Sequence, residues 1–264
     1  MPSGGFPRGQ SSIIRKVVFI MSSKVKSLQE AIAPIQDGAT IMVAGFLGTG
    51  TPEILIDALV EKGVKHLTVI GNDAGLPASV TGTTDRGIAK LLAAGQIDHL
   101  IATHVGMNPL VGQLMNEGKL KVTLVPQGTL AERIRAKGAG LGGILTPTGV
   151  GTLIETGAPV AIACGEVTIS EPKERITVDG VDYLLEKALS ADFALCRGTI
   201  CDTFGNFACR KATKNFNHVM AMAADHVILA SEEVVEPGSV DIDTFTIAGV
   251  YVNTVVEGEK PWQI

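Results

Sequence analysis

The segment 37–52, DGATIMVAGFLGTGTP, restricts the possible folds of this chain more than any other stretch. Its apolar run at 41–44 is typical of a buried parallel strand, and a turn signal, Asp37-Gly38, precedes it. A glycine loop follows, and we then predict a helix with Thr51 as its N-cap and Pro52 at its first position. Such a unit brings backbone N–H groups and a positive helix end to one point, which suits an anion or a polarised carbonyl.

The glycines of this loop have the order G-x-x-G-x-G, which differs from the dinucleotide-binding order G-x-G-x-x-G. Glycine lacks a Cβ and therefore permits positive φ angles and close approach of a ligand to the backbone. On the glycines alone, a ligand-binding loop and a tight strand-to-helix connection without a ligand are equally good interpretations.

Apolar runs alternate with helical patterns beyond the glycine loop. We predict helices at 51–62, 86–94, 109–116 and 130–137, the last capped by Thr129, and strands at 67–70, 99–103 and 120–125. Repeated strand–loop–helix units of this length predict an α/β fold with an open, mostly parallel, doubly wound sheet. Ligands of such sheets bind beyond the carboxyl ends of the strands, where the glycine loop, Asn72, Asn108 and Gln127 fall.

The pattern changes in the second half of the chain. Residues 138–151 are glycine-rich without a helical period, and we predict a long ordered loop there. Asp179-Gly180 separates two short β-patterned runs and predicts an added β-hairpin region. Further strands are predicted at 193–197, 207–210, 226–229 and 245–252, and a helix at 217–224. No linker or internal repeat divides the chain, so we expect a single domain at 23–264.

Residues 1–29 have a composition of their own, because basic residues, Ser and Gly are frequent and the first acidic residue is Glu30. Transit peptides share this composition. We favour an extension from an upstream start, because Met21-Ser22-Ser23 looks like a natural beginning for the domain. In both cases we expect residues 1–22 to lie outside the fold.

Composition excludes several classes of protein. The net charge of −5 argues against a nucleic-acid binder that works through bulk charge, and no apolar stretch is long enough to span a membrane. The four cysteines have no C-x-x-C spacing, so we expect no metal site. Free thiols favour a reducing cytoplasm.

The segment 37–52 resembles the N-terminal signature of the family I CoA-transferases, in their A (alpha) half, except that Ala44 stands where the family usually has Gly. Further motifs carry the resemblance in the same order: PQGTLAERIRA at 126–136, TPTGVG at 146–151 and KNFN at 214–217. The resemblance covers about residues 24–260. Several matches in order are far more specific than a glycine pattern.

The resemblance implies an enzyme that is incomplete in this chain. Members of the family form an acyl-glutamyl anhydride and then a glutamyl-CoA thioester on a Ser-Glu-Asn-Gly glutamate of the B (beta) half. This sequence lacks that motif, and its nearest string, Ser170-Glu171-Pro172, lies in a polar stretch that we interpret as surface. The chain therefore resembles an A (alpha) subunit that is active only with a B (beta) subunit, in a hetero-tetramer. Its implied substrates are a short-chain acyl-CoA and a carboxylic acid such as acetoacetate, with coenzyme A as a substrate and no permanently bound cofactor.

The resemblance also implies roles for particular residues. Gln127 is the predicted supporting catalytic residue, whose neutral amide suits an oxyanion or the attacking carboxylate, although a turn residue satisfying the backbone is the alternative. Asn72 is the predicted substrate-binding residue. A basic cluster at 210–214 could meet a CoA phosphate, but a solvated face is the commoner role of such a cluster. The residues predicted to contact coenzyme A are Ala44, Gly45, Phe46, Leu47, Gly48, Thr49 and Gly50.

Two other functions remain open on the sequence. A nucleotide-dependent oxidoreductase is one, because Asp73 follows the glycine loop at about the right distance to hold a ribose. The glycine order speaks against it. A non-catalytic ligand sensor is the other, because related open α/β folds serve as effector domains.

Overall fold

The computed structural model describes residues 22–163 and 166–259. The predicted extension at 1–22 falls almost entirely outside the described residues, as does Cys164. The helices are α1 (Leu28–Ile32), α2 (Glu53–Lys62), α3 (Ala78–Thr81), α4 (Ile88–Ala93), α5 (Pro109–Asn116), α6 (Gln127–Gly138), α7 (Leu153–Thr156) and α8 (Asn217–Ala221). The strands are β1 (Thr40–Val43), β2 (Leu67–Ile70), β3 (Ile97–Ala102), β4 (Lys121–Leu124), β5 (Gly143–Thr146), β6 (Pro159–Ala163), β7 (Glu166–Ile169), β8 (Arg175–Val178), β9 (Val181–Lys187), β10 (Ala191–Asp202), β11 (Phe207–Ala208), β12 (Ala224–Val235) and β13 (Thr254–Glu257).

A mostly parallel sheet forms the centre of the fold, in the order β4-β3-β2-β1-β10-β12-β13, with β11 antiparallel on β10. Two small antiparallel sheets accompany it, β5-β9-β8 and β6-β7. This architecture confirms the predicted α/β fold with an added hairpin region. No helix in the described part of the chain combines the length and the apolar composition needed to cross a membrane. The single domain at 23–264 stays a prediction.

The strand order reverses at β1, which lies between β2 and β10. The chain first adds strands on one side of β1, from β2 to β4, and later returns to the other side with β10, β12 and β13. Ile41 of β1 accordingly pairs with Val69 on one side and with Phe193 on the other. Open α/β sheets bind ligands in the crevice at such a switch point, and the glycine loop leaves β1 there.

The side chains of β1 explain why helices cover both faces of the sheet. Successive residues of a strand point to opposite faces, and Ile41, Met42 and Val43 are all fully or almost fully buried. Ile41 and Val43 pack on the face covered by α1, α2, α4 and α5, whereas Met42 packs on the face covered by α6 and α8. A continuous apolar run is therefore required, because neither face of this strand meets water.

Two helices that flank the site begin elsewhere than predicted. α2 begins at Glu53, with Pro52 as an N-cap that makes no side-chain hydrogen bond, so Thr51 is not the cap. α6 begins at Gln127 after Pro126, and Thr129 lies inside its first turn and does not cap a helix at 130–137. Proline explains the second shift, because its fixed φ pre-orders the backbone and its carbonyl accepts the N–H of Leu130 at 2.9 Å.

The predictions for the second half of the chain are partly wrong. The stretch 138–151 is not a loop throughout, because β5 forms within it and pairs with β9. Gly143 permits this pairing, since a Cβ there would lie 2.6 Å from the carbonyl oxygen of Glu186. The hairpin around Asp179 and Gly180 is confirmed, with φ angles of 51° and 79°. The closing strand is not at 245–252, where a 3-10 turn occurs, but at β13.

Candidate active site

The glycine loop folds back on itself at the end of β1. Phe46 and Thr49 exchange two backbone hydrogen bonds of 3.0 and 2.9 Å, which places Leu47 and Gly48 at the corner of a tight turn. Leu47 has a φ of 45° and Gly48 a φ of 79°, so both occupy the left-handed region. The loop is therefore a compact hairpin, and Phe46, which precedes the corner, is 41% exposed.

Two glycines of the loop are required by close contacts as well as by φ. A Cβ on Gly45, whose φ is 119°, would lie 2.2 Å from the Oγ1 of Thr51. A Cβ on Gly50, whose φ is 75°, would lie 2.9 Å from the Nδ2 of Asn217. Ala44, in contrast, is not among the residues with positive φ, so the backbone there accommodates a side chain.

Asp73 braces the loop from the β2 side. Its Oδ2 accepts hydrogen bonds from the backbone N–H of Leu47 at 2.8 Å and from the Nδ2 of Asn72 at 3.0 Å, and its Oδ1 accepts from the N–H of Gly75 at 2.9 Å. The residue is 7% exposed. Because this carboxylate is buried and already accepts three hydrogen bonds from the protein, it is poorly placed to hold a ribose, on which the oxidoreductase alternative depended.

Asn72, the predicted substrate-binding residue, is 3% exposed. Its amide is turned towards Asp73, and its backbone carbonyl accepts hydrogen bonds from the N–H and the hydroxyl of Thr103 at 3.0 and 2.7 Å. In this structure Asn72 reaches the loop through Asp73. A direct contact between Asn72 and a substrate stays a prediction.

The KNFN motif holds the loop from the opposite side. The Nδ2 of Asn215 donates to the carbonyl of Thr49 at 2.8 Å, and the Nδ2 of Asn217 donates to the carbonyl of Gly50 at 2.9 Å. Asn217 is fully buried, and its Oδ1 accepts the N–H of Arg197 on β10 at 2.7 Å. The sequence showed the motif but not this role, because nothing in the spacing indicates that residues 49 and 215 are neighbours.

A carboxylate of the chain itself lies at the N-terminus of α2. An oxygen of Glu259, which is 4% exposed, accepts the N–H of Ile54 at 3.3 Å. Free N–H groups and the helix dipole favour a negative charge at this position. Glu259 therefore supplies the negative charge that was predicted at the helix end. The glycine loop remains as the part of the strand–loop–helix unit that can bind a ligand.

The cavity beneath the glycine loop is too small for a substrate. Its volume is about 10 Å³, between Gly45, Gly48, Asp73 and Gly87, which has room for a water molecule at most. A ligand of the loop must therefore lie on its outer face. A larger open groove of about 550 Å³ runs along the first turns of α6 and β5, lined by Gly128, Thr129, Glu132, Arg135, Ile144, Leu145, Thr146 and Thr148.

Gln127 is exposed at the first position of α6, which follows β4 and adjoins this groove. The glycine loop follows β1, three strands away in the same sheet. At about 4.8 Å between neighbouring strands, the two sites lie roughly 14 Å apart along one edge. They are therefore the two ends of an extended surface and not a single point, and only a long substrate can contact both.

The three described cysteines are buried and are not nucleophiles. Burial raises the pKa of Cys201 and of Cys209 to about 12, and it raises the pKa of Cys196 as well. A thiol with such a pKa carries almost no thiolate at neutral pH. These residues pack in the core around β10 and do not take part in chemistry.

Comparison with known proteins gives a consistent result. Residues 25–258 match the family model described as Coenzyme A transferase. The chain is 42% identical over 240 residues to the alpha subunit of the acetate CoA-transferase of Escherichia coli K12, covering 91% of this chain and 99% of that protein. It is 43% identical over 237 residues to the acetoacetyl-CoA:acetate/butyrate CoA transferase alpha subunit of Clostridium acetobutylicum, covering 90% of this chain and 99% of that one.

A solved structure resembles the fold over nearly the whole chain. It is an acyl-CoA transferase from Escherichia coli O157:H7 in a thioester complex with CoA, with a TM-score of 0.74 and 26% sequence identity. The match covers 92% of this chain but 48% of that one, so the present chain spans about half the length of that protein.

Proposed function

Because this chain belongs to the coenzyme A transferase family, we propose that it is the A (alpha) subunit of an enzyme that transfers CoA from a short-chain acyl-CoA to a carboxylic acid. The identity to two alpha subunits over almost their whole length supports this assignment. We propose acetoacetate as one of the acids, which agrees with the name of the clostridial relative.

The state of the carboxylates around the glycine loop is the observation that carries this proposal. Asp73 accepts three hydrogen bonds from the protein, and Glu259 caps α2. Glu171, in the string nearest to the family's nucleophile motif, is exposed and lies between β7 and β8, in the part of the chain that forms the two small antiparallel sheets. Among the described residues we identify no carboxylate that is both free and close to the loop, so the nucleophile belongs to a partner subunit.

In the proposed reaction, a glutamate carboxylate of the partner attacks the thioester carbonyl, and CoA leaves as its thiolate. The product is an acyl-glutamyl anhydride. The thiolate then attacks the glutamyl carbonyl of the anhydride, which releases the first acid as a carboxylate and forms a glutamyl-CoA thioester. The acceptor acid reverses both steps and leaves as the new acyl-CoA, so no oxidant, reductant or bound cofactor is consumed.

This chain contributes positioning and electrostatics to that reaction. Each attack places negative charge on a carbonyl oxygen, and a preorganised neutral amide stabilises such a charge without neutralising the nucleophile. We assign this role to Gln127 at the N-terminus of α6. The glycine loop contacts coenzyme A along the same sheet edge, which the extended arrangement of the two sites favours.

The partner and the location follow from the same proposal. The active enzyme is a hetero-tetramer of this chain and a B (beta) subunit in the cytoplasm. The names of the relatives, which are alpha subunits, support the existence of a partner, and the unpaired thiols of the described cysteines suit a reducing compartment.

Trapping the covalent intermediate tests the proposal. The complex of this chain with its partner would be incubated with acyl-CoA, treated with borohydride and analysed by mass spectrometry. We expect the reduced glutamyl thioester on the partner and an unchanged mass for this chain. A modification at Glu171, or at any other acid of this chain, would contradict the assignment of the nucleophile.

A further inference from the structure

Three cations lie on the segment that follows β11, namely Arg210, Lys211 and Lys214, and we call residues 210–214 the basic segment. All three side chains are exposed. In the region that the structure covers, none of the three makes a side-chain hydrogen bond or an ion pair. Their charges are therefore available to a ligand.

The basic segment is fastened to the glycine loop. Asn217 donates through its Nδ2 both to the carbonyl of Gly50 and to the carbonyl of Thr213, each at 2.9 Å. Asn215 donates to the carbonyls of Thr49 and of Ala212, at 2.8 and 2.9 Å. The two asparagines thus join the loop to the segment directly, and a Cβ on Gly50 would lie 3.1 Å from the Cα of Thr213.

The backbone of the basic segment holds an unfavourable conformation. Lys211 has a φ of 52°, in the left-handed region that is unfavourable for a residue with a side chain. The hydroxyl of Thr213 donates to the carbonyl of Arg210, and the N–H of Arg210 donates to the Oγ1 of Thr199 at 3.2 Å. These bonds fix the bend that gathers the three cations beside the loop.

Several other cations of this chain are paired with acidic neighbours. Lys90 lies 2.6 Å from Glu53, and Arg175 lies 2.7 Å from Glu155. Lys119 and Arg135 have similar partners in Glu117 and Glu132, at 2.8 and 2.7 Å. In a chain with a net charge of −5, the basic segment thus places three cations without acidic partners among the described residues beside the glycine loop, where they can attract an anion.

We propose that the basic segment binds the phosphate groups of coenzyme A while the outer face of the glycine loop contacts the rest of the molecule. This inference rests on the proposed function. Coenzyme A carries a pyrophosphate and a 3′-phosphate, and Arg and Lys are the side chains that pair with phosphate oxygens. Gln127 lies at the other end of the same edge, so the phosphates are held at one end of the substrate and the thioester reacts towards the other.

Kinetics of the enzyme assembled with its partner test this assignment. The variants are Arg210→Gln, Lys211→Gln, Lys214→Gln and the triple change, with Lys121→Gln as control. Lys121 is an exposed lysine at the start of β4, and parallel strands place it at the opposite edge of the sheet. The substrates are one acyl group carried on CoA, on 3′-dephospho-CoA and on pantetheine, which has no phosphate.

We expect KM for acyl-CoA to rise about two- to fivefold in each single variant and about tenfold or more in the triple variant, with kcat little changed. The increase should shrink at high salt, because exposed charges are screened within about 10 Å. Acyl-pantetheine should be used equally well by the wild type and the triple variant. If the increase in KM is smaller with acyl-3′-dephospho-CoA than with acyl-CoA, the bound group is the 3′-phosphate. If the increase is the same with both, the bound group is the pyrophosphate.

Several outcomes would overturn the assignment. An equal loss with acyl-pantetheine, or a raised KM for the acceptor acid alone, would show that the cations serve another part of the reaction. Failure of the variants to assemble in size-exclusion chromatography would make the segment an interface with the partner. Unchanged KM values in an active enzyme refute this inference alone, whereas a wild-type complex without transferase activity refutes the proposed function.

Discussion

At the residue scale, Gln127 carries the most specific catalytic assignment, because its side chain makes no hydrogen bond that fixes it as a turn residue in the described structure. If its amide donates to the developing oxyanion, Gln127→Ala should lower kcat by about 10²–10³-fold in the assembled enzyme. Steady-state kinetics would measure this. Gln29→Ala, an exposed glutamine on α1, is the matched control and should behave as wild type.

Gln127→Glu is the sharper variant of the same test. The N-terminus of α6 would keep the introduced carboxylate ionised, and a charge of that sign disfavours the ionised nucleophile of the partner. Activity should therefore fall at least as far as in Gln127→Ala and depend more steeply on pH. If both variants assemble and turn over within a few-fold of wild type, Gln127 is a turn residue and not a catalytic one.

Gly50 and Gly63 form a matched pair of glycines, because both have a φ of 75°. A Cβ on Gly63 meets no atom within 4 Å, whereas one on Gly50 would lie 2.9 Å from the Nδ2 of Asn217. Gly63→Ala should cost about 1 kcal/mol of unfolding free energy through φ alone, and Gly50→Ala distinctly more, with loss of activity. Chemical denaturation measures the difference. Equal losses in the two variants would mean that the loop and the KNFN motif adjust freely to each other.

At the scale of elements, the sequence predicted best where local signals and burial agree. β2 and α5 occur at their predicted bounds, since the first is a continuous apolar run and the second has Asn108 as N-cap before Pro109. β5 was missed because its glycines suggested a loop, while its pairing with β9 depends on residues some forty positions later along the chain. Tertiary pairing of this kind leaves no local signal.

The candidate site, too, was predicted where local signals exist and missed where contacts depend on tertiary structure. The sequence located the glycine loop and the edge of the sheet that carries Gln127, because both follow strands in an alternating pattern. It did not predict that Asp73, Asn217 and Glu259 fix the unit by hydrogen bonds. Those contacts join residues that are far apart in the sequence. The order of the strands in the sheet makes them neighbours, and the sequence alone does not show that order.

The adjoining strands β3 and β4 carry a pH-sensitive contact. His99 lies 2.8 Å from the hydroxyl of Thr123, and burial lowers the pKa of this histidine to about 4. The unfolded chain therefore takes up a proton near pH 6.5 that the folded chain does not, so stability should fall as the pH drops from about 6.5 towards 4. Burial also lowers the pKa of His218 and of His226, which act in the same direction.

His99→Gln separates this contribution, because the amide can still bond to Thr123 but does not titrate. Chemical denaturation between pH 7 and 4 should give a shallower loss of stability for the variant than for the wild type. Identical slopes for the two proteins would show that His99 is protonated in the folded state as readily as in the unfolded one.

At the scale of the whole molecule, this chain is expected to be half of a catalyst. It spans 48% of the solved acyl-CoA transferase that it resembles, and no free carboxylate was identified beside its glycine loop within the described residues. The purified chain should therefore transfer no CoA between an acyl-CoA and a carboxylate, and addition of the B (beta) partner should restore transfer. Robust turnover by the chain alone would refute the shared site.

The hydrogen bond between Glu259 and Ile54 joins residues 205 positions apart. The unit of β1, the glycine loop and α2 therefore reaches its final arrangement late. While the polypeptide emerges from the ribosome, β1, the glycine loop and α2 are complete long before Glu259 is synthesised. Until then the first turn of α2 lacks its carboxylate, and β12 lacks its outer neighbour β13. Contacts of such long range slow folding, and an unpaired strand edge invites association with other chains. Ribosome-bound intermediates should thus form the pairs among β1, β2, β3 and β4 early, and should acquire β13 and the carboxylate at the start of α2 only after Glu259 has been synthesised.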